Sequence, residues 1–210
     1  MSNEEVIVET ARRGRPRDGA KDEAILHAAA ALFLDRGFEA SVDAVAAQAG
    51  VSKATIYARY DDKDALFCAV LAWKCGSVVP PGSFVHDPQV PVRDTLITIA
   101  KRFLDLVLGD DAMRMHRLIV ADPSRAARMA ELFFATAVTP LKDRFAAWLA
   151  GESDAGRLRV ADPQGSAWRY LGAVKGEAHM RASLGLRPVE PDRLARHIEA
   201  CADEFLRAHG

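Results

Sequence analysis

Ser41-Val-Asp-Ala-Val-Ala-Ala-Gln-Ala-Gly50-Val-Ser-Lys-Ala-Thr-Ile-Tyr-Ala-Arg-Tyr60 is the stretch that decides the reading of this chain. Val42, Val45, Ala46 and Ala49 recur at helical spacing and give a short helix one apolar stripe. Ser41 precedes the stripe as an N-cap, and Asp43 puts negative charge in the first turn, where the helix dipole favours it. Gly50 follows the last apolar position and supplies the left-handed residue that ends a helix without a Cβ penalty. Val51 then plugs the elbow and Ser52 caps a second helix, in which Ile56 and Tyr60 face inward. Lys53, Ala54, Thr55, Tyr57, Ala58 and Arg59 are left on its outer surface. Two short helices joined in this way are a helix-turn-helix, whose second helix enters the DNA major groove. The plain alternative is a surface helix of an all-α protein with merely solvated cations, and the pattern taken alone does not separate the two.

The flanks favour DNA. Arg12, Arg13, Arg15 and Arg17 are interrupted by Gly14 and Pro16, which oppose helix, so residues 1–17 read as a flexible basic arm. Arginines on such an arm suit the narrow minor groove beside a major-groove helix. Ile25, Ala28, Ala29, Leu32 and Phe33 predict a first helix, ended at Gly37, that beds the next two. Asp61 reads as the N-cap of a further helix carrying Leu66, Phe67, Val70 and Leu71, with Asp64 three residues on as in a capping box. Lys63 lies in its first turn against the dipole preference, and a phosphate is a candidate partner for it.

Gly14-Arg15-Pro16, Ile25-Leu26-x-Ala28-Ala29-x-x-Leu32-Phe33, Gly37-Phe38, Val42-x-x-Val45-Ala46, Ala49-Gly50-Val51-Ser52-Lys53-x-Thr55-Ile56-Tyr57 and Tyr60-x-x-Lys63-x-x-Leu66-Phe67 together resemble the TetR family of transcriptional regulators. The resemblance covers residues 14–72. It implies an all-α homodimer in which an N-terminal three-helix unit reads DNA and a larger C-terminal helical domain binds a small effector and dimerises. Carried onto matching positions, it implies major-groove or phosphate contacts from Ser41, Ser52, Lys53, Ala54, Thr55, Tyr57, Arg59 and Lys63, beside Arg15 and Arg17 of the arm. The usual aromatic end of the recognition helix reads Tyr57-Ala58-Arg59-Tyr60 here. Tyr60 fills the inward aromatic slot, and Arg59 is left open between a phosphate and a guanine.

With 28 basic and 29 acidic residues in 210, the formal net charge is −1. That excludes a generally basic nucleic-acid coat and leaves attraction to DNA to the arm and the recognition helix. The acidic start lacks a signal-peptide core and no apolar run approaches spanning length, so a cytoplasmic protein without a membrane partner is expected. Cys68, Cys75 and Cys201 make no Cys-x-x-Cys pair. They read as buried free thiols, with a redox sensor as the weaker alternative. Gly-x-Ser-x-Gly, His-Glu-x-x-His, P-loop and Gly-x-Gly-x-x-Gly motifs are all lacking, which argues against an enzyme. Asp110 and Asp111 point about 100° apart on a helix and suit its start better than a shared metal. Neither a metal nor a cofactor is expected.

The character shifts beyond Trp73. Gly76, Pro80, Pro81, Gly82, Pro88 and Pro91 mark the boundary between a DNA-binding unit over 18–77, with its motif at 41–60, and an effector-binding and dimerisation domain over 78–210. Helices are expected over Val92–Leu108, from Asp110 or Asp111 to Val120, from Pro123 towards Ala150 with a kink near Pro140, from Pro163 to near Gly185, and from Pro191 to about Ala208. Val-Ala-Asp-Pro occurs at 120–123 and 160–163, each a helix start with Asp as N-cap and Pro at N1. Gly151 to Arg159 reads as a polar connector. The count is about nine helices with no strand. Arg117-Leu118-Ile119-Val120, Phe133-Phe134, Gly156-Arg157-Leu158 and Asp162-Pro163 resemble the C-terminal domain of AefR-like members of the family.

In this family the last two long helices build the dimer interface. Trp168, Leu171, Val174, Leu194, Ile198 and Phe205 are candidates, with Gly172, Ala173 and Gly176 admitting a close partner helix, although each could equally serve the core of its own subunit. Two recognition helices about 34–36 Å apart read successive major grooves of a palindrome, which supports a homodimer. Trp73, Phe103, Met113, His116, Phe133, Phe134, Trp148 and Tyr170 are candidates to line a pocket for a largely apolar small molecule. The function expected is a sequence-specific regulator, released as a repressor from a palindromic double-stranded DNA operator when effector binds. An architectural DNA binder without an effector is the rival reading.

Overall fold

The computed structural model describes residues 17–121 and 123–210, with the side chains of residues 17, 18, 81 and 123–126 left aside. The regular structure of the described residues is all helical, without a strand. In order they form α1 (Arg17–Arg36), α2 (Val42–Ala49), α3 (Lys53–Tyr57), α4 (Lys63–Val78), α5 (Val92–Leu108), α6 (Asp110–Ala121), α7 (Pro123–Phe133), α8 (Thr139–Asp154), α9 (Pro163–Ser183) and α10 (Pro191–His209). A π segment over Phe134–Val138 joins α7 to α8, so the described chain forms nine rods.

Local chemistry sets most of these bounds. Ser41, Ser52, Asp62 and Asp162 cap α2, α3, α4 and α9 by accepting the N–H three residues on. Gly50 closes α2 at φ 65°, in the left-handed region that a side chain resists. The cap of α4 is Asp62, not Asp61: its carboxylate accepts the Ala65 N–H at 2.8 Å, a reach set by the start of α4 at Lys63. Pro140 stands just inside α8 after the π segment. The Thr139 N–H there donates to the Phe134 carbonyl five residues back, the register slip that accommodates a residue without an N–H of its own.

Two packed layers of core follow. Ile25, Phe33, Val45, Ile56, Leu66 and Phe67 fill the first among α1 to α4, with the Phe33 and Phe67 rings 5.2 Å apart. Met115 and Ile119 of α6 and Met129 of α7 complete it. Leu96, Ile99, Phe145, Leu149, Val174 and Ala202 fill the second among α5, α8, α9 and α10. The boundary expected at residue 77 falls one residue short of the end of α4, which packs against both α1 and α5.

The polar connector expected from Gly151 is shorter than that, because α8 continues to Asp154. Glu152 is wholly buried there. It holds His86 at 2.9 Å and the Arg157 guanidinium, while its backbone carbonyl accepts the Arg157 and Leu158 N–H groups. Arg157 also donates to the Asp87 and Val90 carbonyls, so one buried carboxylate ties the Pro-rich segment to the end of α8. No helix among the described residues is long and apolar enough to cross a membrane.

Candidate functional site

The outward side of α3 is a small, mixed surface. Lys53, Ala54, Tyr57 and Ala58 are exposed, and Ile56 beneath them is buried. Ser41 accepts the Ala44 N–H at 3.1 Å and Ser52 the Thr55 N–H at 3.1 Å, with the Ser52 and Thr55 hydroxyls 2.8 Å apart. These serines therefore fix the ends of their helices whatever else they touch. Lys53 donates to Asp43 at 2.8 Å, and that hydrogen bond raises its pKa. Arg59 pairs with Asp22 of α1 and donates to the Thr55 carbonyl, tying α3 to α1. Lys63, the cation set against the dipole preference, donates to the Phe38 carbonyl, so a protein acceptor already occupies it. Tyr60 is half-buried against the first core, and burial raises its pKa. Arg15 and the arm before it lie outside the described residues, as does the side chain of Arg17, whose backbone opens α1.

A cavity of about 710 Å³ lies between α4, α5, α6, α7, α8 and α9 and the π segment. Five of the eight expected pocket residues line it: Phe103, Met113, His116, Phe133 and Phe134. Three do not. Trp73 packs edge-on to His27 beside the first core, Trp148 stacks on Phe145, and the Tyr170 hydroxyl donates to the Leu96 carbonyl at 2.9 Å. Each is drawn into a core by a ring contact or by a hydrogen bond that helical spacing alone does not reveal. Trp168, expected at a dimer interface, lines the cavity and stays half-exposed at its rim.

The cavity wall also carries charge that sequence reasoning passed over. Lys74 pairs with Asp111 at 2.6 Å, and Lys142 with Asp143 at 3.3 Å. Lys175 follows Leu171 and precedes His179 by four residues on α9, a spacing that was legible, and both neighbours line the cavity with it. The rings of His116 and His179 stand 5.6 Å apart. Burial first and the Lys175 charge second lower both imidazoles, His179 to about 4. Cys75 on the same wall is a free thiol that burial pushes up to about 11, far from a reactive thiolate.

Of the expected interface residues, Leu171, Val174, Ile198 and Phe205 are buried within their own subunit and Leu194 is half-buried. The small residues Gly172, Ala173 and Gly176 do face outward on α9. Met180, Leu184 and Leu186 extend that side as exposed apolar side chains.

One helix joins the two regions. α6 offers Met113, His116 and Ile119 to the cavity, while Met115 and Ile119 enter the first core. Arg114 of α6 donates to the Leu34 carbonyl near the end of α1, and Leu118 lies against Gly37, where an added Cβ would come within 3.0 Å of it.

Residues 25–70 match the family described as bacterial regulatory proteins, tetR family, and residues 94–210 match the AefR-like transcriptional repressor C-terminal domain. The HTH-type transcriptional regulator YdeS of Bacillus subtilis is 52% identical over 56 residues, 26% of this chain and 28% of that protein. The HTH-type transcriptional activator FasR of Mycolicibacterium smegmatis is 32% identical over 126 residues, 56% of either chain. The matches thus span less than two thirds of both relatives. A TetR-family regulator from Mesorhizobium loti superposes with a TM-score of 0.77 at 22% identity, over 93% of this chain and 100% of that one, a likeness of fold. The flavonoid-responsive regulator FrrA superposes with a TM-score of 0.69 at 30% identity, over 91% and 97%.

Proposed function

The chain belongs to the TetR family of bacterial regulatory proteins and is a DNA-binding transcriptional regulator; from that premise we propose that it is a repressor, released from a palindromic operator when a small molecule enters the cavity. Residues 18–77 are the DNA-reading unit in this reading and 78–210 the effector and dimer unit. Ser41, Ser52, Lys53, Ala54, Thr55, Tyr57, Arg59 and Lys63 face or support the DNA, with Arg15 and Arg17 reaching from the arm. Lys53 exchanges Asp43 for a phosphate on binding, and Lys63 holds the turn before α2 through Phe38. The repressor assignment draws on the AefR-like C-terminal match, against which FasR stands as an activator. The flavonoid response of FrrA supports a small-molecule signal.

The observation that carries the proposal is the double duty of α6. A molecule pressing on Met113 and His116 moves the helix that holds Leu34 and Gly37 at the end of α1. Such a molecule shifts the equilibrium between DNA-competent and incompetent spacings only by its differential affinity for the two. Two copies joined along the outward side of α9 supply the second recognition helix.

Footprinting on genomic fragments retained by the purified protein is the test. A two-fold symmetric protected site supports a regulator of this kind. Uniform coverage supports an architectural binder and overturns the reading, as does a stable monomer both free and on operator in sedimentation.

A further inference from the structure

Lys175 is an ammonium in an apolar place. It is half-buried on a cavity wall that also carries Trp168, Leu171 and Met113, and it borders the groove on the outer side of α9 with Gly176, Met180 and Leu184. Among the other charged groups on that wall, Lys74 has Asp111, Lys142 has Asp143, and Asp105 and Asp110 are exposed. The Lys175 ammonium makes no ion pair or hydrogen bond among the described residues, and burial lowers its pKa with no carboxylate to oppose the shift. The ammonium is half-buried but not sealed from water, and it has no counter-ion among the described residues, so an anion arriving with a ligand gains a charge-assisted contact the protein has left open. His116 and His179 stand beside it and are neutral near physiological pH, since both pKa values are lowered. A neutral imidazole donates from one nitrogen only; the Ser183 hydroxyl donates to the His179 carbonyl and lies 3.3 Å from His179 Nδ1, so His116 is the imidazole left to donate to an anion.

We propose that the cavity takes an amphiphilic carboxylate, one acid group on an apolar body, with the carboxylate paired to Lys175 beside His116 and His179. The proposal rests on the reading of the cavity as the effector site. A cationic ligand meets Lys175 as a like charge, and a neutral one leaves it as unpaired as before. Leu106, Ile119, Phe133 and Leu141 supply the apolar surface for the body. A carboxylate offers two acceptor oxygens, enough to engage the ammonium and an imidazole N–H at once.

Titration calorimetry with decanoate, decanol and decylammonium tests this on the full chain and on Lys175→Met and Lys175→Arg. The wild type is expected to bind decanoate about tenfold or more tightly than decanol, the scale of one charge-assisted contact, and decylammonium most weakly. Lys175→Met keeps decanol affinity and loses the preference, whereas Lys175→Arg retains it. Equal binding of decanoate and decanol by the wild type, or a preference that survives Lys175→Met, overturns the carboxylate assignment while leaving the cavity as an effector site. Binding of none of the three overturns both. Should Lys175→Met fail to fold, the wild-type comparison of decanoate with decanol decides alone.

Discussion

At the scale of the residue, the three described cations expected to touch DNA already have partners in the free protein. Lys53 is held by Asp43, Arg59 by Asp22 and Lys63 by the Phe38 carbonyl. The Lys53–Asp43 pair is the exposed one, so it contributes little to stability and exchanges readily with a phosphate. Asp43→Asn removes a carboxylate beside the proposed phosphate path and frees Lys53. It should raise DNA affinity roughly threefold to tenfold and leave the dependence of log K on log salt nearly unchanged, because Lys53 neutralises the same phosphate in both proteins. Thermal unfolding should barely change, and a weakened complex would show that Asp43 orients Lys53 instead. His179 makes a separate prediction, about stability. Unfolded, it takes up a proton near its ordinary 6.5; folded, it resists until about 4. The unfolded state therefore binds more protons across that window. Stability is complete above it, falls as pH drops through it and levels off below, with His116 acting in the same sense. Urea midpoints measured across this range should fall less steeply in His179→Gln.

Elements whose ends are written in local chemistry were legible in the sequence. The run from Val92 to Leu108 before Gly109, the Asp162-Pro163 start and the Pro191 start all appear where spacing and caps put them. Elements set by distant contacts were not. Nothing near Gly151 announces that Glu152 will be buried against His86, and that contact carries α8 to Asp154. Helical spacing likewise says which face is apolar but not what covers it. Hence Tyr170 and Trp148 went to a core and Trp168 to the cavity rim. α9 holds a further feature that spacing hides. Gly176 departs from helix with φ 30° and ψ −137°, between Lys175 and His179, and His197 lies 2.9 Å from the Ala173 carbonyl in the preceding turn. A side chain at that backbone conformation is strained. Gly176→Ala should destabilise the protein by about 1–3 kcal/mol, read as a lowered urea midpoint at unchanged slope. It should also alter ligand affinity more than Gly172→Ala, because the break sets how Lys175 and His179 face each other. Equal effects of the two substitutions would remove the break from any part in shaping the site.

For the whole molecule, near-neutral charge and one five-residue recognition helix make a single subunit a poor reader of DNA. Affinity must come from duplication, and the surface for it follows from what each core has already taken. Leu171, Val174, Ile198 and Phe205 are covered within the subunit, so an interface has to use what remains outside. On α9 that is Gly172 and Ala173, small enough for close helix approach, followed by exposed Met180 and, just past its end, Leu184 and Leu186. A monomer seldom leaves such a run uncovered, and a second copy is the partner that also doubles the recognition helix. Met180→Arg with Leu184→Glu places charge on both sides of a two-fold contact without touching either core. Sedimentation should then report a monomer with an unchanged helical spectrum. Its binding to a palindromic fragment should show about half the wild-type salt slope, because half as many phosphates are neutralised per complex. A double variant that stays dimeric puts the interface on another face of the molecule. A monomer that keeps full affinity and slope removes the premise that two recognition helices act together.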